Sequence, residues 1–227
     1  MSNPQRFLVI GASRGVGKAL SDDLSRQGIL TTTTVRRRSL DESDPPNVAD
    51  QHFLDLSDAA AGDRLATELA SCRFDAIVLV AGVMGPDHQD AREATVDEVG
   101  SLIFVNAVAP IGLARRLLPL VRPGGVVAFL SSRTGSIALN DTGDMELYRA
   151  SKAALNSLSR SFAVKDALPL GVGVLLLHPG WVQTDMGGDK APVTIAESVE
   201  GLRCVLLASL DDPAHRFLDY EGATIVW

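Results

Sequence analysis

Short aliphatic or β-branched runs alternate along the chain with longer stretches whose apolar residues recur at helical spacing. Seven runs are predicted as strands: 7–11, 30–35, 52–55, 76–81, 126–131, 173–178 and 223–227. Five stretches are predicted as helices, at 15–27, 59–71, 96–118, 146–167 and 195–209, and Thr95 is a candidate cap of the third. Alternation of this kind is typical of βαβ units with parallel strands. We therefore predict an α/β protein with a doubly wound, seven-stranded parallel sheet and helices on both faces.

The length and composition are those of one compact domain. A chain of 227 residues fits a single core, because chains split into domains beyond roughly 250 residues. The Asp-, Ser- and Pro-rich stretch 39–48 reads as a loop after the second strand and not as a linker between domains. We expect one domain over residues 1–227.

Net charge narrows the class of partner. The formal charge is −7 and the isoelectric point is near 5.1, whereas nucleic-acid binding needs a basic surface. We therefore expect a small-molecule partner and no nucleic acid.

The residue pattern does not indicate a metal or a membrane as a partner. Cys72 and Cys204 lack CxxC spacing and the histidines are scattered, so we expect reduced thiols and no metal. The apolar runs are too short for a signal peptide or a membrane span. A cytoplasmic location without membrane association is the expectation.

The first predicted strand runs into a glycine-rich turn that opens the first helix. Its sequence is Gly11-Ala-Ser-Arg-Gly15-Val-Gly17. Glycines allow a tight turn and close approach of a pyrophosphate, which the amides and dipole of a helix N-terminus attract. The alternative is a glycine-rich turn with no ligand. The strand before it and the helix after it favour dinucleotide binding.

Further motifs follow in a fixed order along the chain. They are Val80-Ala81-Gly82, Val105-Asn106-Ala107, Ser131-Ser132-Arg133-Thr134-Gly135, Tyr148-Arg149-Ala150-Ser151-Lys152 and His178-Pro179-Gly180. Together with the glycine turn, this set resembles the short-chain dehydrogenase/reductase family, and in detail its C-factor and sniffer-like branch. One departure is Val80, where the family usually has asparagine. The resemblance implies a Rossmann-like fold, hydride transfer between a nicotinamide and a carbonyl or alcohol, and a homodimer or homotetramer.

Tyr148 and Lys152 are the candidate acid–base pair. Positions i and i+4 of a helix share one face, and we expect the ammonium of Lys152 to lower the pKa of the phenol below about 10. Taken alone, the pair also fits a half-buried helix face with a lysine reaching solvent. The resemblance implies that Tyr148 is the general acid–base and that Lys152 also binds the nicotinamide ribose.

Ser132 and Asn106 complete the implied catalytic set. By resemblance Ser132 contacts the substrate oxygen and Asn106 holds a water in a proton relay. Neighbouring strand residues point to opposite faces, so either Ser131 or Ser132 faces the site, and the spacing to Gly135 favours Ser132. Asn106 can alternatively be a capping or core-bridging amide.

The resemblance also implies a set of cofactor contacts along the carboxyl edge of the sheet. An N-cap or turn role is the alternative for Asp55, an ordinary turn for Thr184, and His178 is expected to pack beside the loop without a catalytic role. Tyr148 and Lys152 belong to this set of cofactor contacts. Its other members are Gly11, Ser13, Arg14, Gly15, Val16, Gly17, Arg36, Arg37, Asp55, Leu56, Ala81, Gly82, Pro179, Gly180, Val182 and Thr184.

The second strand predicts NADP(H) over NAD(H). An NAD site places an acid about 20 residues beyond the glycines, whereas an arginine there accommodates a 2′-phosphate. Val35 stands in place of the acid, followed by Arg36 and Arg37, and Arg14 is a possible second cation. A solvated basic run is the alternative. An NADP(H)-dependent enzyme is the leading hypothesis; a nucleotide-binding signalling or regulatory protein with little turnover is the second.

Overall fold

Parallel strands organise the molecule. The computed structural model describes residues 4–36, 48–56, 58 and 60–227. Within them, seven strands form one sheet in the order β3-β2-β1-β4-β5-β6-β7, and every neighbouring pair is parallel. The strands are β1 (Arg6–Ile10), β2 (Leu30–Val35), β3 (Val48–Phe53), β4 (Phe74–Leu79), β5 (Val121–Leu130), β6 (Gly173–His178) and β7 (His215–Asp219). The predicted α/β class with a parallel sheet is confirmed.

Helices cover both faces of this sheet. They are α1 (Gly15–Arg26), α2 (Ala61–Glu68), α3 (Val96–Ile103), α4 (Ala109–Leu117), α5 (Glu146–Phe162) and α6 (Ile195–Ala208). Helices α1 and α6 pack in one core cluster, while α2, α4 and α5 pack in the other. Strands β1 and β6 read as nearly continuous apolar runs because both of their faces are buried. In β1, Phe7 and Val9 face the first cluster, and Leu8 and Ile10 face the second.

The sheet order places a crevice at one edge. The chain leaves β1 towards β2 and later returns to β4 on the other side of β1. The carboxyl ends of β1 and β4 therefore lie at the point where the strand order reverses, and ligands of doubly wound sheets bind outside this point. The glycine turn, Val80-Ala81-Gly82 and Ser132 all leave strands at this edge.

The predicted helix 96–118 is continuous but not uniform. Thr95 caps α3 in a capping box with Glu98, and a π-helical turn, Phe104–Val108, joins α3 to α4. Pro110 lies four residues after Asn106 and has no N–H to donate to the Asn106 carbonyl, which accounts for a departure from α-helical bonding here. An 18-residue window within Val96–Leu120 has a mean hydropathy of 1.5, and the segment meets the length and composition of a membrane span. Its inner face, however, packs in the core against the sheet.

The prediction of the last strand at 223–227 is wrong. The strand paired with β6 is His215–Asp219, which has polar residues at both ends and lies at the edge of the sheet. A turn at Gly222, with φ of 85°, reverses the chain. Residues 223–227 then run back along β7, and the N–H of Ile225 donates to the carbonyl of Phe217 at 2.8 Å. Ile225 is buried there, and the Trp227 ring stacks on His215 of the edge strand.

Other boundaries shift by a few residues. The third strand lies at Val48–Phe53, earlier than the predicted 52–55, and α2 is shorter than predicted. The predicted loop 39–48 lies outside the described residues except for its last position. The predicted fifth helix, 195–209, agrees with α6 to one residue.

Candidate active site

Two neighbouring elements bring the predicted acid–base residues together. Tyr148 and Lys152 lie on the first turns of α5, one turn apart, and Ser132 follows β5 directly. All three side chains are buried. Gly135 lets α5 approach this loop, because a Cβ there would lie 3.0 Å from the main chain of Lys152. The loop after β5 and the start of α5 are therefore fixed against each other.

The two adjacent serines have different partners. The hydroxyl of Ser131 donates to the Asn156 side chain at 2.7 Å, in a hydrogen bond that is buried in the core. The Ser132 hydroxyl oxygen accepts from the Thr134 hydroxyl at 2.9 Å, and Ser132 faces Tyr148 closely enough to lower the pKa of its phenol. Only Ser132 shares a site with the tyrosine, which is the arrangement expected from the alternation of strand side chains.

Burial controls the titration of Tyr148. Loss of solvation raises the pKa of Tyr148 to about 12, against a smaller lowering by the Ser132 hydrogen bond. The sequence predicted a lower pKa, and this prediction is wrong for the chain without its cofactor. The Lys152 ammonium lies 5.7 Å from the ring centroid, yet burial sets the direction of the shift. At neutral pH the phenol therefore keeps its proton.

Lys152 is also held in an unusual state. Its ammonium donates to the Leu130 carbonyl at 2.9 Å, and burial lowers the pKa of Lys152 to about 8. A Cβ on Gly82 would lie 3.5 Å from this nitrogen. The strand ends of β4 and β5 thus enclose the amine, and its burial excludes the reading of a lysine that reaches solvent.

Asn106 is a bridging amide. Its Oδ1 accepts from the N–H of Val83 at 2.8 Å, and its Nδ2 donates to the Val83 carbonyl at 2.8 Å and to the Ser151 hydroxyl at 3.0 Å. The side chain therefore ties the loop after β4 to α5. Both of its N–H groups are used, so it cannot donate to a relay water. The core-bridging alternative therefore describes the Asn106 side chain.

The glycine turn fits a dinucleotide. Gly11 and Gly15 have positive φ angles of 90° and 56°, and a Cβ on Gly17 would lie 2.2 Å from the Gly11 carbonyl oxygen. Helix α1 begins after Arg14 with no side-chain cap and no acid in its first turn, whereas α3 and α6 both begin with Thr–Glu capping boxes. The first N–H groups of α1 are thus left for an external anion.

The loop after β6 forms the opposite wall of the crevice. The Pro179 carbonyl accepts from Ser198 at 2.7 Å, and Gly180 has a φ of 87°. Val182 is buried and pairs with Val193 in an isolated bridge. The methyl carbon of Thr184 would lie 3.9 Å from a Cβ on Gly15, so the loop reaches across to the glycine turn.

The remaining predicted contacts follow the same edge. Arg36 is exposed at the end of β2 and has no ion-pair partner among the described residues, whereas Arg37 lies outside the described residues. Leu56 packs against the core and Asp55 is half-buried. Half-buried or exposed positions in the crevice are occupied by Ser13, Val16, Ala81 and Gly82.

His178 is half-buried beside this wall. Burial lowers the pKa of His178 to about 4, against the opposing effect of Asp219. Its Nδ1 has no hydrogen-bond partner among the described residues. The ring is therefore neutral at pH 7, which agrees with a packing role.

Sequence reasoning missed three polar contacts of the site. Gln89 accepts from the N–H of Tyr148 at 2.9 Å and so caps α5 from the loop after β4. Thr134 fixes Ser132, and its position inside the serine motif was an available signal. Arg14 forms an ion pair with Asp185, which no local pattern indicates.

The chain matches the family model described as short chain dehydrogenase over residues 5–193. The chain belongs to the short-chain dehydrogenase family. The predicted family and its oxidoreductase class are therefore confirmed. The match spans the glycine turn, the serine loop, the Tyr148–Lys152 pair and the wall after β6.

Individual relatives agree with the predicted branch. The C-signal of Myxococcus xanthus is 38% identical over 164 residues, which cover 71% of this chain and 98% of that protein. A carbonyl reductase from Pseudomonas aeruginosa PAO1 in complex with NADP has a TM-score of 0.89 and 37% identity, covering 99% of this chain and all of that one (100%). Carbonyl reductase Sniffer of D. melanogaster has a TM-score of 0.87 at 26% identity, covering 99% and 100%.

Proposed function

We propose that this short-chain dehydrogenase transfers a hydride between NADP(H) and a carbonyl or alcohol, with Tyr148 as the general acid–base. The observation that carries the proposal is a buried phenol beside the buried Ser132 hydroxyl, with a buried lysine one helical turn away. A positioned acid of this kind contributes about 10²–10⁴ in rate. Ser132 is placed to donate to the substrate oxygen as negative charge develops there.

The protonation state of Tyr148 favours carbonyl reduction. A carbonyl that accepts a hydride must also accept a proton, and a phenol with a pKa of about 12 holds one at neutral pH. Oxidation of an alcohol needs the phenolate instead. The phenol is therefore in the protonation state that carbonyl reduction needs at neutral pH.

The path for returning the proton uses the bend before α4. Pro110 leaves the Asn106 carbonyl without its α-helical donor, and the Asn106 side chain lies 3.3 Å from a Cβ position on Gly82, next to the Lys152 amine. We propose that a water on this carbonyl connects Lys152 to solvent. Lys152, with a pKa of about 8, can release and regain a proton near neutral pH.

The cofactor assignment rests on the glycine turn and the end of β2. When bound, NADPH supplies the hydride. The uncapped start of α1 fits its pyrophosphate, Arg36 fits its 2′-phosphate, and Lys152 is placed for the nicotinamide ribose. The NADP bound to the Pseudomonas aeruginosa carbonyl reductase supports NADP(H) here.

Exposed apolar side chains at the same edge support a substrate with apolar groups. Val83, Ile137 and Trp181 lie on the loops that leave β4, β5 and β6, and all three are exposed. The Trp181 indole is fixed by donation to the Gly187 carbonyl at 2.7 Å. A rigid, exposed aromatic ring at the mouth of a site binds apolar groups at little entropic cost.

Self-association is part of the proposal. Phe104 and Val108 are exposed one turn apart on the helix that follows β4, and Val164 is exposed beyond the end of α5. An apolar stripe on these two helices suits a second copy of the chain. We propose a homodimer or homotetramer formed there, in a cytoplasmic protein.

A panel of carbonyl compounds tests the function. Aldehydes and ketones with aromatic and with small aliphatic groups are each mixed with the protein and NADPH, and loss of NADPH absorbance is followed. We expect turnover, faster for the aromatic compounds. Tight NADPH binding with no turnover across the panel would favour a signalling or regulatory protein, a candidate that the similarity to a protein named C-signal supports.

A further inference from the structure

One ion pair crosses the crevice between the glycine turn and the loop after β6. The guanidinium of Arg14 lies 2.9 Å from the carboxylate of Asp185, and their side chains are 75% and 81% exposed. The two residues are separated by 171 positions in sequence. The pair joins the opposite walls of the crevice outside the carboxyl ends of β1 and β6.

Arg14 also lies close to the region proposed for the 2′-phosphate. The glycine turn is tied to β2, since Gly11 donates to the Thr34 hydroxyl at 3.1 Å and Ala12 to the Thr34 carbonyl at 2.8 Å. Arg36 follows two residues after Thr34. The turn that carries Arg14 therefore adjoins the end of β2, where Arg36 lies, while Asp185 is on the loop after β6. Arg14 has no other ion-pair partner among the described residues.

We propose that Asp185 is a cofactor-specificity residue that acts by competing with the 2′-phosphate for Arg14. This inference rests on the proposed NADP(H) site. NADPH must take Arg14 from Asp185, whereas NADH carries a hydroxyl at this place and leaves the ion pair intact. The Asp185 carboxylate therefore weakens the binding of NADPH but not that of NADH. It reduces the difference in affinity between the two cofactors.

The size of this effect follows from the exposure of the pair. Exposed ion pairs are worth about 0.2–1 kcal/mol, which corresponds to roughly 1.4- to 5-fold in a dissociation constant. Replacing Asp185 also removes a negative charge that faces the incoming phosphate. The effect is screened by salt, because the Debye length shrinks to about 3 Å at 1 M.

The test is a binding titration of the full chain with Asp185→Asn. Quenching of protein fluorescence gives dissociation constants for NADPH and NADH at low and high salt. We expect NADPH to bind about 2- to 5-fold more tightly to the variant at low salt, with NADH unchanged and the gain lost at high salt. Asp189→Asn is the matched control, since Asp189 is exposed in the same loop and has no ion pair among the described residues.

A double-mutant cycle separates competition from other effects. Arg14→Ala should weaken NADPH binding, and in that background Asp185→Asn should change nothing. Weaker binding of both cofactors to Asp185→Asn would overturn the proposal, because it would mean that the ion pair closes the crevice over the cofactor. An equal gain from Asp189→Asn, or no gain from Asp185→Asn, would overturn it as well. If the wild-type chain binds no NADPH at all, the proposed function fails first.

Discussion

Acid should unfold this protein partly through His178. Burial lowers the pKa of His178 to about 4 in the folded chain, against 6.5 for the free side chain. The unfolded chain therefore binds more protons between these two pH values. The contribution of the neutral His178 ring to the free energy of unfolding is fully present above pH 6.5 and is lost as the pH falls towards 4. A difference of one pKa unit between the folded and the unfolded chain corresponds to about 1.4 kcal/mol. The loss attributable to His178 is then about 2 kcal/mol at pH 5 and about 3 kcal/mol at pH 4.

Urea unfolding between pH 4 and pH 8 measures this loss for the wild type and for His178→Gln. The free energy of unfolding of the variant should fall less steeply below pH 6.5, and the two curves should run parallel above it. His215, whose pKa burial also lowers to about 4, provides a second variant, His215→Gln, with the same expected direction. Identical pH dependence of the wild type and His178→Gln would refute the neutral state assigned to this half-buried ring.

Three further substitutions probe the cofactor turn, the cofactor preference and the self-association. Gly17→Ala places a carbon 2.2 Å from the Gly11 carbonyl oxygen and should lower the unfolding free energy by about 1–3 kcal/mol. The control is Gly112→Ala, whose Cβ would meet nothing closer than 3.5 Å and which should be neutral or stabilising. Equal changes in unfolding free energy for the two variants would contradict the packing of the glycine turn. Arg36→Ala should raise the KM for NADPH about tenfold and leave NADH little changed, because a charge-assisted hydrogen bond is worth about 1.5–3 kcal/mol; similar changes for both cofactors would count against Arg36. Phe104→Glu should dissociate the oligomer in sedimentation at micromolar concentration, and a monomeric wild type would disprove the interface.

The central strands could be predicted because burial on both faces leaves a plain signal. β1 and β6 are continuous apolar runs in the sequence, and the structure buries them between two helical layers. β7 has only one neighbouring strand and a polar residue at each end, so its pattern is weak. The segment 223–227 has more β-branched residues, yet it lies against β7 and outside the parallel sheet.

The interior of a helix could be predicted less well than its extent. Pro110 stands inside the predicted helix 96–118, and a proline there removes one hydrogen bond. That signal was available for the π-helical turn next to Asn106. The bridging contacts of Asn106 depend on how closely the loop after β4 approaches α5, which the residues of one helix do not reveal.

The pKa shifts and ion pairs of the site depend on burial and on contacts between loops. The spacing of residues in the sequence does not predict either of these. The i and i+4 positions of Tyr148 and Lys152 were evident, but the direction of the Tyr148 pKa was not. The pairing of Arg14 with Asp185 depends on the crossing of two loops far apart in sequence. Both are properties of the folded crevice.

The proton-donor role of Tyr148 is the central claim, and Tyr148→Phe tests it most directly. The chain has two tyrosines, so Tyr220→Phe is the matched loss of a hydroxyl elsewhere. The measurement is kcat for reduction of the best carbonyl of the panel, together with the dissociation constant for NADPH. The account predicts that Tyr148→Phe lowers kcat by about 10²–10⁴-fold while NADPH still binds and Tyr220→Phe stays near the wild type. Turnover of Tyr148→Phe at a rate close to the wild type would contradict it.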